Sequence, residues 1–472
     1  MLRRHTGLLL SSAKGESRYH MIARGSVTSH EDLVRTMLEL GLVSRARSMV
    51  NFLGVDRIRP STALRLYMLE GDFDKALRLG ALQNMRTSWF FSQADSNRFS
   101  QTLLPLDPAT AIQIASKRFR RSHFLPAALL EVKKEIHPIL SRTRFPAAVA
   151  DYHLLKGNIE STTAGKLSAL NSYMACFGLG RIAVVSTDMP LVIDNLLADS
   201  SSPLITDTEL VSVIMTVYNC ENYVVAALKS ILNQTYKNIE VIVIDDFSSD
   251  GSWTKIQSLA AVHCNVKAIR LSDNVGTYAA KNIGMKLAKG KYVTFQDSDD
   301  WSHPRRISDS INVLRRSSEV VAVTCGYIRL SDDGRFVSPK VWPFMQWTPN
   351  SIVFRRHEVM SAIGYFDHVR FGADSDYVER ICAVFGDRAH LKLRLPLIIA
   401  SHRVNSLMTG SAAGLNSYGY SRCRVEYRER SAERNIRYAS DGASLYVVGD
   451  RSCNTVNGSE NSVGSDNVRY RF

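Results

Sequence analysis

The chain lacks any uninterrupted apolar stretch of the ~18 residues that a membrane-spanning helix requires. Its most apolar runs, Val320–Ile328 and Leu395–Ala400, are strand-length and belong in a sheet. Cysteine is scarce. There are seven, at positions 176, 220, 264, 325, 382, 423 and 453, and no C-x-x-C pair. An odd, scattered set excludes a disulfide framework and a zinc ribbon, and reads as separate thiols in a reducing compartment. No Gly-rich, Lys/Arg-bearing phosphate loop is present. The charge of +14 is spread along the chain, with no module that concentrates it for nucleic acid. The cluster Lys117-Arg118-Phe119-Arg120-Arg121 reads as a solvated helix face, with contact to anionic headgroups as the alternative. The spread field suits anionic ligands such as nucleotide diphosphates. The start, Met1-Leu2-Arg3-Arg4 with Leu8-Leu9-Leu10, has too short an apolar core for a signal peptide and reads as a frayed segment.

At 472 residues the chain is too long for one ordinary domain. The pattern predicts a tail over 1–27, a helical domain over 28–205, a catalytic domain over 208–410 and a partly ordered tail over 411–472. In the helical zone, Leu38-Glu39-Leu40-Gly41, Met68-Leu69-Glu70-Gly71 and Leu154-Leu155-Lys156-Gly157 each read as a helix stopped at glycine before a second helix. The pieces are similar to tetratricopeptide-type hairpins, although the glycines follow no fixed period. Such a region is a candidate surface for a protein partner.

Over 208–410 strands and helices alternate. Strands are expected at Val211–Val217, Ile239–Ile244, Val266–Leu271 and Tyr292–Gln296, with helices over Glu221–Asn233, from about Ser252, and over Ala279–Ala288. The fold class expected is α/β: a mostly parallel sheet flanked by helices, preceded by an all-α helical-hairpin region. Ligands bind such sheets beyond the carboxyl ends of the strands. Those ends are acidic. Phe295-Gln296-Asp297-Ser298-Asp299-Asp300 sets three carboxylates past one strand, a donor set for a hard cation such as Mg²⁺ or Mn²⁺. The competing reading is a turn that caps the helix opened by Pro304-Arg305-Arg306-Ile307. Val243-Ile244-Asp245-Asp246 repeats the arrangement one strand earlier, where an acid can accept from a base N–H or a ribose hydroxyl.

These pieces, with Val211-Ser212-Val213-Ile214-Met215-Thr216-Val217-Tyr218-Asn219, Ser230–Thr235, Asn274-Val275-Gly276, Lys281-Asn282-Ile283-Gly284 and Gly290-Lys291-Tyr292-Val293, follow one order. That order resembles the family-2 inverting glycosyltransferases. Thr216 stands where the family usually has proline. The resemblance implies a nucleotide-sugar, or UDP-sugar, pocket lined by Thr216, Val217, Tyr218 and Glu221. It places Asp246 on the uracil or ribose and adds Lys281, Asp297 and Ser298 to the donor contacts. It makes Asp297, Asp299 and Asp300 metal contacts and sets His402 and Arg403 beside the diphosphate, with His402 as a further ligand. Phe371-Gly372-Ala373-Asp374-Ser375-Asp376-Tyr377 resembles the segment that bears the family's catalytic base. Asp374 is the expected base, and Asp376 is expected near the rim, touching the acceptor or pairing with Arg380. Neither Q-x-x-R-W nor membrane helices are found. A soluble or peripheral enzyme at the cytoplasmic face of a membrane is expected, acting on a glycan or lipid-linked glycan in surface polysaccharide synthesis. The rival expectation is a catalytically dead transferase fold serving as a scaffold. A nucleotidyltransferase would need the phosphate loop the chain lacks.

Overall fold

The structure, a computed structural model, describes residues 17–27, 29–85, 99–100, 102–104, 106–118, 150–198, 205, 207–338, 343–403, 421–449 and 470–471. The expectations placed on residues 1–16, on the side chains of the basic cluster at 117–121 and on Cys453 lie outside the described residues.

Six helices open the described chain: α1 (Arg18–Ala23), α2 (His30–Leu40), α3 (Val43–Leu53), α4 (Pro60–Glu70), α5 (Phe73–Met85) and α6 (Pro108–Arg118). Their ends follow local chemistry. The Ser29 hydroxyl caps α2 by accepting from the Asp32 N–H at 3.0 Å, and Pro60 sits in the first turn of α4. Gly41 (φ 93°) and Gly71 (φ 74°) stop α2 and α4 in the left-handed region that a side chain would disfavour. Val34, Leu38, Val43, Ala46 and Val50 then form one small core between the first helices.

Helices α7 (Ala150–Gly157) and α8 (Thr163–Cys176) also follow the helix–glycine–helix pattern, but they pack elsewhere. Leu154, Leu170, Tyr173 and Met174 share a core with Trp301, Ile328, Phe336 and Leu397 of the sheet. A short antiparallel pair, β1 (Ile182–Val184) and β2 (Leu196–Ala198), joins them. The span expected as one helical domain is therefore divided. The helices of its first part share a core with Ala383, Ala432, Ile436 and Leu445 from later in the chain, and residues 150–198 cover one flank of the sheet.

The main sheet runs β13-β5-β4-β3-β6-β11-β8-β12-β7. Its strands are β3 (Val211–Val217), β4 (Ile239–Asp245), β5 (Val266–Leu271), β6 (Tyr292–Asp297), β7 (Trp301–Ser302), β8 (Ala322–Ser331), β11 (Val353–Arg355), β12 (His390–His402) and β13 (Tyr470–Arg471). Two short strands, β9 (Phe336–Val337) and β10 (Gln346–Trp347), hang on β8. Pairing is parallel from β5 through β4 and β3 to β6. The three-residue β11 then inserts antiparallel between β6 and β8, and β12 runs parallel to β8. The sheet is thus mixed, rather than mostly parallel as the strand–helix rhythm implied. That rhythm ends after β6, where short strands replace the long crossovers that parallel pairing needs.

Strand β3 is buried throughout, as a central strand covered on both faces must be. Val211, Val213, Met215 and Val217 face α9 (Val224–Leu232) and α12 (Arg306–Arg316). Ile214 turns the other way, toward α11 (Thr277–Leu287) and α14 (Ala373–Phe385). A Cβ at Gly284 would lie 2.4 Å from the Ile214 side chain, so glycine sets how closely α11 approaches the sheet. Helices α10 (Ser252–Val262) and α13 (Arg356–Ile363) complete the layers. The chain builds β4 and β5 on one side of β3, then crosses to place β6 on the other. The crevice at this reversal is where an α/β sheet receives ligand.

The tail expected to be only partly ordered contains a 20-residue helix, α15 (Arg422–Asp441). Ala432 and Ile436 enter the core of α1–α3, while Tyr427 is buried on the side of α14. Among the described residues no helix is long and apolar enough to cross a membrane.

Candidate active site

The carboxyl end of β3 carries Thr216, Val217 and Tyr218. Thr216 is nearly buried, and its hydroxyl meets that of Thr277 at 2.9 Å, at the start of α11. Val217 is core. Tyr218 is 50% exposed, and Phe247, just past β4, is exposed to the same degree. Phe247 (φ 65°) and its neighbour across the crevice, Asn219 (φ 47°), are the two non-glycine residues with positive φ among those described. Backbone held in that region is costly for a bulky side chain and gathers at functional sites. The turns supporting the two aromatics are laced together. The Ser249 N–H donates to Asn219 Oδ1 at 2.8 Å, and the Asn219 N–H to Ser248 Oγ at 3.0 Å. Glu221 accepts from the Gly251 N–H at 2.9 Å, so it ties the β3 and β4 loops together. Phe247 escaped the sequence reading. The signal available was an aromatic set into a polar turn directly after two acids.

Asp245 and Asp246 lie at the end of β4. Asp245 is fully buried, accepts from the Ser248 N–H at 3.3 Å and is ion-paired with Arg270, whose Nε lies 3.3 Å away. Burial pushes its carboxyl above the ordinary aspartate range. Both oxygens of Asp246 accept backbone N–H groups, from Val275 at 2.8 Å and Gly276 at 2.9 Å. Desolvation nevertheless lifts its pKa to about 6, the two N–H donors opposing the shift. Asp246 thus holds the 274–276 loop, and its oxygens have lone pairs left for a further donor.

Past β6, Asp297 stands 3.4 Å from Lys281 Nζ, and its side chain is 39% exposed. Lys281 is buried and also donates to Asn350 Oδ1 at 2.6 Å. Ser298 is buried beside them. Asp299 Oδ2 accepts from Arg403 Nε at 2.9 Å and from Ser401 Oγ at 3.1 Å. Asp300 is partly buried and accepts from the Ser401 N–H at 3.0 Å. Burial, with Asp299 and Asp297 close by, holds its carboxyl well above the usual range. His402 is exposed, between two residues that both reach the acids. Side chains alternate along a strand, so Ser401 and Arg403 face Asp299 while His402 faces away. The expected ligand set of Asp297, Asp299, Asp300 and His402 is therefore not assembled. Among the described residues no three His, Cys, Asp or Glu side chains are gathered as a cation site. Arg403, which the resemblance sets with His402 beside the diphosphate but not among the metal ligands, occupies the position beside Asp299. It lines a cleft of about 280 Å³ with Asn219–Tyr223, Asp250 and Asp332.

Asp374 lies in the first turn of α14 and is half-buried. Tyr278, the second residue of α11, is fully buried and is perturbed upward by burial and by contact with Asp374. The Gly372 N–H donates to the Tyr278 hydroxyl at 3.2 Å. One helix start, Gly276-Thr277-Tyr278, therefore bonds Asp246, Thr216 and, through the Gly372 N–H, the turn that opens onto Asp374. Asp376 needs correction. It is not at a rim. Its side chain is 1% exposed, pairing with Arg380 at 2.9 Å and Arg434 at 2.7 Å, and those two cations hold its carboxyl below the ordinary range against the opposing effect of burial. The pairing with Arg380 is present, but the second cation, from α15, seals the group off from any acceptor.

The site is thus an α/β crevice with aromatic and acidic strand ends, and a separate carboxylate at a helix start beside it. Residues 212–378 match the profile described as Glycosyl transferase family 2. Over 122 residues the chain is 37% identical to the UDP-Glc:alpha-D-GlcNAc-diphosphoundecaprenol beta-1,3-glucosyltransferase WfaP of Escherichia coli, covering 25% of this chain and 47% of that protein. It is 33% identical over 129 residues to Glycosyltransferase GlyG of Streptococcus pneumoniae serotype 4, covering 27% of this chain and 43% of the relative. The chain thus spans less than half the length of these relatives. Staphylococcal TarS 1–349 in complex with UDP-GlcNAc overlaps 48% of this chain and 72% of its own at 18% identity, with a TM-score of only 0.37.

Proposed function

We propose that the protein is an inverting glycosyltransferase that moves a sugar from a UDP-sugar to a glycan or lipid-linked glycan in surface polysaccharide synthesis. The observation that carries this reading is the start of α11, which within one turn bonds Asp246, Thr216 and the Gly372 N–H two residues before the candidate base Asp374. The E. coli relative, named for a UDP-Glc donor and a diphosphoundecaprenol-linked acceptor, supports the substrate class.

In this reading Tyr218 and Phe247 flank the uracil, which their exposed rings suit. Asp246 accepts from the base or ribose. Asp297, half open to solvent, and Asp299 offer hard oxygen donors that fit a divalent cation, Mn²⁺ or Mg²⁺. Such an ion, when bound, offsets negative charge on the diphosphate leaving group. Arg403 sits where it can exchange Asp299 for a phosphate, since guanidinium pairs with either. Lys281 fixes Asp297 from beneath. Asp374 takes the proton from the acceptor hydroxyl, whose oxygen attacks the anomeric carbon from the face opposite the nucleotide. The proton ends on Asp374, and the bond to the diphosphate breaks. A lipid-linked acceptor places the enzyme at the cytoplasmic face of a membrane, bound peripherally.

The test is a screen of UDP-Glc, UDP-GlcNAc and GDP-mannose, with and without Mn²⁺, reading thermal stabilisation and release of nucleoside diphosphate in the presence of a diphospholipid-linked sugar. Release of UDP supports the reading. Absence of release with every donor sinks it. One observation favours the rival, a silent scaffold: the Asp299–Arg403 pair already satisfies the acid. That rival predicts nucleotide-sugar binding without turnover.

A further inference from the structure

Helix α15 lies outside the family match, yet it grips the loop that delivers Asp374. Arg434 Nη2 donates to Asp376 Oδ1 at 2.7 Å, and Arg434 Nη1 reaches Asp367 Oδ2 at 3.4 Å. The Tyr427 hydroxyl donates to the same Asp367 oxygen at 3.2 Å. The Arg424 guanidinium lies 5.3 Å from the centre of the Phe371 ring. At Gly372 (φ 84°) a Cβ would come to 3.0 Å from the Tyr427 ring, so the loop and α15 meet backbone against ring. The segment after α15 continues the grip. Tyr365 N–H donates to the Val447 carbonyl at 3.0 Å, and Val447 N–H to the Ile363 carbonyl at 3.1 Å. On the opposite side, Asn282 of α11 exchanges two hydrogen bonds with the Phe366 backbone, at 2.9 and 3.0 Å.

The loop from Gly364 to Asp374 is therefore clamped between α11 and the 421–449 segment. Its ionic centre is closed. Asp367 and Asp376 supply two negative charges, and Arg380 and Arg434 supply two positive ones. Arg380 also donates to the Ile363 and Tyr365 carbonyls at 2.6 and 2.7 Å. Asp376 is two residues from Asp374 in the same first helical turn, so a displacement of one moves the other. A general base must lie within hydrogen-bond reach of the proton it removes, and a misplacement of about 1 Å can cost ~10²-fold in rate.

We propose that Arg434 is a positioning residue for transfer: acting through Asp376 and Asp367, it sets the place of Asp374 without touching substrate. This rests on the glycosyltransferase reading above. The experiment uses the full chain and three variants: Arg434→Lys, Arg434→Gln, and Arg434→Gln combined with Asp376→Asn. UDP binding is measured by calorimetry in Mn²⁺, kcat and donor KM by UDP release, and hydrogen exchange over 363–376 by mass spectrometry. For Arg434→Gln, kcat falls by about 10- to 100-fold, while UDP affinity and donor KM stay within about twofold and exchange accelerates over 363–376. Arg434→Lys recovers part of kcat. The double variant, which removes the charge left over, recovers part of the exchange protection. A lowered unfolding temperature with unchanged kcat overturns the proposal, as does a parallel loss of UDP affinity. If the wild-type chain turns over no nucleotide sugar, the functional reading fails on its own. The exchange measurement then still decides the brace, because unchanged exchange over 363–376 in Arg434→Gln overturns it.

Discussion

Asp299 and Asp376 are both paired with arginine at 2.9 Å, and the two pairs differ in almost every other respect. The Asp299–Arg403 pair stands at the mouth of the crevice with side chains 19% and 23% exposed. The Asp376–Arg380 pair is sealed at 1% and 0%, with Arg434 closing it from a different helix. A partly solvated pair contributes little to stability and can be exchanged for a ligand. A sealed pair is costly to break, because removing one partner strands the other charge away from water. In the proposed reading the same acid–arginine contact serves as a replaceable binding element in one place and as scaffold in the other. Burial, not residue type, makes the difference.

The comparison is broken most severely at the sealed pair. Asp376→Ala should lose about 3–5 kcal/mol of stability, read as a large drop in the unfolding midpoint, whereas Asp299→Ala should change it by less than about 1 kcal/mol. Equal losses at both sites would erase the distinction. Next comes Asp374→Asn, expected to lower turnover by about 10²–10⁴-fold with UDP binding and melting temperature unchanged. Retained turnover would show that another group removes the proton. At the open pair, Asp299→Asn should lower UDP affinity in Mn²⁺ to its metal-free value while leaving the fold intact. A persistent metal effect would move the cation elsewhere.

What the sequence disclosed follows the same line. The strands of the parallel half were legible because buried β-branched runs ending in acids carry their own signal, and Asp297, Asp299 and Asp246 stand at the strand ends expected. The fate of Asp376 was not legible, since its second partner lies 58 residues downstream in a helix. That helix was hidden by composition: Ser, Gly, Asn and Arg dominate the tail, although Val425, Ala432, Ile436 and Ala439 keep helical spacing. Which of His402 and Arg403 faces the acids was not legible, because one place along a strand reverses the face. The helical zone was divided by tertiary packing that no local pattern records.

Two smaller effects sharpen the picture at the nucleotide. Phe247→Ala should weaken UDP binding by about 0.5–1.5 kcal/mol, or up to roughly tenfold, by titration calorimetry. No loss would remove the second aromatic wall. The smallest effect is in pH. Asp246 has its folded pKa raised to about 6, so its protonated form favours the fold. That contribution is complete below the unfolded aspartate pKa of about 4 and is lost as pH rises through about 6. Hydrogen bonding to the base instead needs the carboxylate, so UDP affinity should rise from pH 5 to 7 in the wild type and stay flat in Asp246→Asn. Burial lifts Asp151 to about 6 as well, so the stability curve is informative only as a difference between wild type and variant. An unchanged affinity slope in the variant would separate Asp246 from the base.

The bridge between Gly364 and Val447 carries a consequence for the newborn chain. A ribosome releases the parallel strands of the sheet well before it reaches residue 447, and the early helices before either. Domains form as they emerge, at about 5–20 residues per second, so several seconds pass in which the nucleotide crevice can close while the Asp374 loop still lacks its outer clamp. During that interval a nascent chain can hold donor but has no settled base to spend it with, and a truncated product that ends before residue 434 stays in that condition permanently.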